Sequence, residues 1–123
     1  MDADPSEVIF TASGSEANNL LIRGFADARM AEAGTLAGVA CSRIEHPCVA
    51  EPVRALGRSG WAVSEIGVDT AGVVETSSIS ALPADTCLLS VMSANNETGV
   101  LQPVAQLARS FKAVRNGMSC VHT

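Results

Sequence analysis

Lysine is the scarcest charged residue in the chain: Lys112 stands alone beside seven arginines placed singly, and the formal net charge is −5. With no basic stripe to follow a phosphate backbone, nucleic-acid binding is not expected. A metal-binding cysteine pattern is also missing. Cys41, Cys48, Cys87 and Cys120 are widely spaced, contain no C-x-x-C pair and are accompanied by only two histidines, so reduced thiols are a simpler account than a zinc or iron–sulfur site. No apolar run approaches the ~20 residues of a membrane span. The first residues are acidic where a signal peptide is basic, so a soluble, cytoplasmic protein without membrane association is expected. Internal repeats, low-complexity stretches and linkers are lacking as well.

What is present is apolar. Hydrophobic residues make up 47% of the 123 and charged residues 17%, a balance that suits strands covered on both faces within one domain. A β-prone run over residues 7–11 leads through Ala12-Ser13-Gly14-Ser15 into helical spacing, with Ala17, Leu20, Leu21, Gly24, Phe25 and Ala28 on one face and Gly34 as a stop. Residues 38–42 read as a buried strand. Val49, Val53 and Leu56 form the inner face of a helix ending near Gly57 or Gly60, and residues 62–66 form another strand. A turn at 69–72 and a helical patch around 78–82 precede the strongest strand, over 86–92. Pro103 then opens a helix lined by Val104, Leu107, Ala108, Phe111 and Val114, Asn116-Gly117 ends it, and a strand begins over 119–122.

This alternation predicts an α/β protein whose strands form part of a mostly parallel, doubly wound sheet, with ligands beyond the carboxyl ends of the strands. Those ends carry Ser13-Gly14-Ser15, Glu45-His46, Asn95-Asn96-Glu97 and His122. The Ser/Gly turn can direct free backbone N–H groups at a phosphate, and Ser13 with Glu16 is equally a capping box that only starts the helix. His46, held at a junction by Pro47, can stack on an aromatic ring or move a proton, or serve as a surface or capping residue. Asn95, Asn96 and Glu97 beside Gly99 either make an ordinary polar turn or offer an amide to a phenolate oxygen while a neighbour holds the loop. Cys48 lies near a helix start, where its thiol could be activated, whereas Cys41, Cys87 and Cys120 fit core positions, and none of the four is expected to be a nucleophile. Lys112 shares the polar side of its helix with Arg109 and Arg115, as a solvated charge does.

Taken together, Phe10-Thr11-Ala12-Ser13-Gly14-Ser15-Glu16-Ala17-Asn18-Asn19, Glu45-His46-Pro47, the block from Ser93 to Pro103 around Asn95-Asn96-Glu97-Thr98-Gly99, and Val121-His122-Thr123 resemble the cysteine desulfurase family. These are fold type I pyridoxal-phosphate enzymes of the class V aminotransferases, and the likeness runs in order over essentially the whole chain. The resemblance implies pyridoxal 5′-phosphate as cofactor, with Gly14 and Ser15 on its phosphate, His46 stacked on its ring and assisting proton transfer, and Asn96 donating to its phenolic oxygen. It implies conversion of cysteine to alanine with sulfur passed to an enzyme persulfide for iron–sulfur cluster or thio-cofactor assembly. A homodimer and a sulfur-acceptor or scaffold protein are the implied partners.

Two departures stand out. The family commonly reads Thr-Ser-Gly-Ala-Thr-Glu in the phosphate turn, and here Thr11 to Glu16 move the glycine by one place. The family's ring-nitrogen aspartate, Schiff-base lysine segment, persulfide cysteine, N-terminal segment and small domain find no counterpart, so residues 1–123 are expected to be part of the large domain. By itself the chain is expected to show no turnover and weak cofactor binding. A selenocysteine lyase of the same fold, or a non-catalytic remnant acting only by association, are the alternatives.

Overall fold

The computed structural model describes residues 3–115 and 117–123. Four parallel strands, β1 (Gly38–Ser42), β2 (Ala62–Ile66), β3 (Thr86–Ser90) and β4 (Cys120–His122), form one sheet in the order β2-β1-β3-β4. The helices are α1 (Gly14–Ala33), α2 (Pro47–Arg58), α3 (Ser77–Ser80) and α4 (Val104–Ala113). Every pairing is parallel, so each return requires a crossover, and the helices cover both faces. The α/β, doubly wound arrangement expected from the alternation is therefore the one observed.

Side-chain alternation divides the core in two. Val39 and Cys41 of β1 meet Ile22 and Ala26 of α1 and Val49, Val53 and Leu56 of α2, whereas Ala40 of β1 joins Leu89, Ile79, Leu107 and Phe111 on the other face. Strands β1 and β3 are buried at every position, which is why they read as continuous runs rather than alternating ones. Gln102, just before α4, braces the 69–74 turn from beneath: its amide oxygen accepts from Val74 N at 2.8 Å and its nitrogen donates to the Gly72 carbonyl at 2.8 Å.

Several expectations need correction. Residues 8–11 pair with no strand among the described residues. Asp4 and Glu7 instead close a capping box around a 3₁₀ turn, Pro5–Glu7, and Ile9 and Phe10 are left 71% and 94% exposed. A β-prone run without a hydrogen-bonding neighbour has no ladder to join. The inner face of α1 is rotated from the expected one. Ile22 and Ala26 are buried and Leu21 and Phe25 partly so, but Leu20, Gly24 and Ala28 face outward. Leu20 instead lines a shallow apolar groove with Ile9, Leu21 and Phe25, so two apolar surfaces contributed to one periodic signal. Strand β3 stops at Ser90 rather than continuing to Met92, although Val91 remains buried and its N–H still donates to the His122 carbonyl. In α4, Leu107 and Phe111 are buried while Val114 lies past the helix and is exposed. Asn116 falls outside the described residues, and Gly117 has φ 81°.

Where β1 meets β3, space for a side chain is lacking. A Cβ at Gly38 would lie 2.8 Å from Thr86 Oγ1 and 3.0 Å from Thr86 Cα, and the second of these is backbone that cannot swing aside. Gly38→Ala is therefore expected to destabilise the protein by about 1–3 kcal/mol, read as a lower denaturation midpoint with unchanged slope. An unchanged midpoint would show that this approach is not tight.

Candidate active site at the carboxyl ends of the strands

From β1 the chain turns to β2 on one side, and β3 then pairs on the other side of β1, so the connections leaving β1 and β3 diverge and open a crevice between them. Glu45 spans that crevice. Its Oε1 accepts from Ser42 Oγ at 2.5 Å and from Met92 N at 2.7 Å, tying the exit of β1 to the exit of β3. One residue later His46 caps α2: its Nδ1 accepts from Cys48 N at 3.1 Å, and Pro47 occupies the first helical position, where a missing N–H costs nothing. With Nδ1 an acceptor, the neutral ring carries its proton on Nε2.

Across from His46 stands the loop after β3. Asn95 is committed to building it: Oδ1 accepts from Glu97 N (3.0 Å), Thr98 N (2.9 Å) and Thr98 Oγ1 (3.1 Å), while Nδ2 reaches the Ile44 carbonyl at 3.4 Å. Gly99, at φ 76°, closes the turn, and Ala94 and Leu101 form an antiparallel bridge at its base. Of the three polar residues expected to face a ligand, Asn95 is thus the scaffold. Asn96 and Glu97 are exposed, and both line a cleft of about 320 Å³ with Arg43, Glu45 and His46.

The Ser/Gly turn behaves as a cap. Ser13 Oγ accepts from Glu16 N at 3.2 Å, and Glu16 Oε2 accepts from Ala12 N at 2.7 Å. Gly14 and Ser15 occupy the first helical positions of the 20-residue α1, exposed, with nothing within 4 Å of a Cβ built on Gly14. Their N–H groups lie in the turn that an α-helix leaves without internal partners. Ser13 caps the helix as expected, but the full capping box is not closed, since Glu16 accepts from Ala12 rather than from Ser13, and the turn remains open to an anion.

Sequence reading missed the polar chain that joins these parts. Ser90, at the end of β3, lies 2.8 Å from His122 Nδ1. His122 Nε2 lies 3.2 Å from Asn18 Oδ1, and Asn18 Nδ2 donates to Cys48 Sγ at 3.0 Å. Because Asn18 Oδ1 can only accept, His122 carries a proton on Nε2, and in the neutral ring Nδ1 then accepts from the Ser90 hydroxyl. Burial agrees, holding His122 below the ordinary histidine value against an opposing pull from Glu45. No sequence spacing signals a pair 104 residues apart. Both residues lie in stretches that carry the family resemblance, Asn18 in Phe10 to Asn19 and His122 in Val121-His122-Thr123, but nothing in those stretches pairs them.

The thiols and the lysine lie elsewhere. Burial pushes the Cys41 thiol up to about 11 and raises Cys87 and Cys120, so these three are protonated core groups at neutral pH. Lys112 is exposed near the carboxyl end of α4, the end where Arg115 Nε donates to the Thr86 carbonyl at the start of β3. That is the opposite edge of the sheet from His46.

An open parallel sheet with a helix N-terminus, a capping histidine and an amide-bearing loop at its carboxyl edge is an α/β ligand-binding arrangement, and its solved neighbours include enzymes of fold type I. The family model for aminotransferase class-V matches residues 1–122, and the chain belongs to that family. Its relatives include the mitochondrial cysteine desulfurase of Saccharomyces cerevisiae, 38% identical over 108 residues, which are 87% of this chain and 21% of that protein. Among solved structures it resembles a NifS-like protein with a TM-score of 0.87 at 33% identity, covering 98% of this chain and 32% of that one. It also resembles SspA in complex with cysteine, with a TM-score of 0.81 at 31% identity over 90% of this chain and 31% of that one. The chain thus spans roughly a fifth to a third of the proteins it matches. Among the described residues, no helix is long and apolar enough to cross a membrane, and no cluster of three or more His, Cys, Asp or Glu could hold a metal.

Two outcomes follow for the supporting polar groups. Glu45→Ala leaves the Met92 N–H and the Ser42 hydroxyl without their acceptor and is expected to cost about 1–3 kcal/mol in denaturant unfolding. Because the folded protein takes up the His122 proton less readily than the unfolded chain, the ring's contribution is complete above the ordinary value of 6.5 and is lost as pH falls through the lowered folded value. The unfolding midpoint is expected to fall on that acid limb, and His122→Gln, which cannot titrate, should flatten it. Equal acid limbs in both proteins would contradict the assignment.

Proposed function

We propose that these residues form part of the cofactor site of a pyridoxal-phosphate-dependent cysteine desulfurase, in which L-cysteine becomes L-alanine and its sulfur passes to an enzyme thiol as a persulfide. The observation that carries the reading is the pairing of His46 and Asn96 across one cleft, with Asn95 and Glu45 fixing the two loops that present them. The donor set suits the cofactor: helix N–H groups and a hydroxyl for a phosphate, a flat imidazole for a ring and a free amide for a phenolate. When bound, pyridoxal 5′-phosphate supplies the electron sink for bond cleavage at cysteine.

The chain's own residues would then act as follows. Gly14 and Ser15 hold the phosphate with backbone N–H groups and the Ser15 hydroxyl. His46 lies against the ring and exchanges protons only at Nε2, because Nδ1 is engaged in the cap of α2. Asn96 donates its amide to the phenolic oxygen. Lys112, at the far edge of the sheet, does not carry the cofactor, so the 123 residues alone are proposed to be inactive and to bind it weakly. A homodimer, a sulfur-acceptor or scaffold partner, a role in iron–sulfur cluster or thio-cofactor assembly and a cytoplasmic location belong to the same proposal.

The test is alanine release by the full-length protein loaded with pyridoxal 5′-phosphate, given cysteine and selenocysteine in parallel. Cysteine turnover is expected, with His46→Ala lowering it by about 10²-fold or more while the visible absorption of bound cofactor persists. Turnover of selenocysteine alone would move the assignment to a lyase, and turnover of neither would end it.

A further inference from the structure

We propose that His122 is a positioning residue that locks the phosphate-binding start of α1 to the carboxyl edge of the sheet. The inference rests on the cofactor reading above and adds to it the device that holds the phosphate turn in place.

The geometry is a single relay across four elements. The Ser90 hydroxyl on β3 donates to His122 Nδ1 on β4 at 2.8 Å, and His122 Nε2 donates to Asn18 Oδ1 on α1 at 3.2 Å. Asn18 Nδ2 then donates to Cys48 Sγ on α2 at 3.0 Å, and the backbone N–H of Cys48 is itself the donor to His46 Nδ1 at 3.1 Å. Asn18 and Cys48 use a different atom for each neighbour and His122 a different ring nitrogen, so the neutral ring protonated at Nε2 satisfies the whole relay at once.

Position makes this more than packing. Asn18 lies one helical turn, about 6 Å, from Gly14 and is the α1 residue tied by side-chain bonds to both β4 and α2. Ser90 and His122 are 0% and 8% exposed, so they offer a rigid anchor, while Gly14, Ser15 and His46 are exposed. Apolar packing of Ile22 and Ala26 fixes how close α1 lies to the sheet. Apolar contacts are non-directional, and a directional bond near the first turn is what sets rotation and axial register there.

The experiment compares the affinity of the full-length apoprotein for pyridoxal 5′-phosphate, for pyridoxal without the phosphate and for inorganic phosphate, together with the ³¹P spectrum of the bound cofactor. In His122→Leu the preference for the phosphorylated form and the affinity for inorganic phosphate are expected to fall about tenfold, with a displaced ³¹P signal and unchanged pyridoxal binding. His122→Gln keeps a donor toward Asn18 and should stay within about threefold of wild type. Should His122→Leu not fold, Asn18→Ala places a good helix former on α1 and is expected to show the same loss. The double variant should be no worse than either single one, since both break one link. A purely structural role would weaken pyridoxal and its phosphate alike. Folded variants that keep the wild-type preference while wild type binds the cofactor would overturn the positioning role alone, and a wild type that binds neither cofactor nor phosphate would overturn the cofactor reading and this role with it.

Discussion

The close approach of β1 to β3 is the constraint on which the site depends. These two strands are the centre of the sheet and are buried along their whole length, and Gly38 lets their backbones meet at Thr86 without a side chain between them. Because β2 then lies on one side and β4 on the other, the chain must leave β1 and β3 in opposite directions. The crevice is thus a consequence of strand order, before any side chain is considered. What the side chains add is closure: Glu45 prevents the diverging loops from separating by holding Ser42 and Met92 with one oxygen.

Above that crevice, neighbouring residues of similar chemistry do different work. Asn95 turns its amide into the loop and Asn96 leaves its own at the cleft, although the two are adjacent and identical. His46 and His122 divide in the same way, one exposed at a helix start and one buried between β3 and α1. In each pair the more buried residue holds its surroundings still, and the other leaves a polar atom exposed at the cleft. Preorganisation of this kind lets exposed groups keep a defined orientation without being buried themselves.

The parts of the molecule that could be read from sequence are those governed by local rules. Residues 38–42 and 62–66 form strands with the expected bounds, the first a buried run and the second a mostly exposed edge strand that buries only Ile66, and α2 buries Val49, Val53 and Leu56 as its spacing indicates. The 7–11 run and the face of α1 could not be read this way. Ile9, Phe10 and Leu20 are apolar and exposed, and hydrophobic period records that a residue is apolar without recording which surface it serves. In the site, Gly14, Ser15, His46 and Asn96 stand at chain junctions that motifs mark. Ser90, Asn18 and His122 act through tertiary contacts, which spacing cannot encode.

The same topology accounts for the place of Lys112. A helix that follows a strand in a parallel sheet runs back antiparallel to it, so α4 begins beside the Asn95–Gly99 loop and ends beside the first residues of β3. Ten residues at about 1.5 Å each carry its last turn roughly 15 Å from the cleft. A basic group that far along the crossover cannot be returned to the carboxyl edge by any rotamer. If the site takes the cofactor as proposed, Lys112 is therefore not its amine partner. Under the proposed function, the described residues would supply the phosphate turn, the stacking imidazole and the phenolate donor. Orienting a ring and turning it over are separate demands, and under that reading the described residues meet only the first.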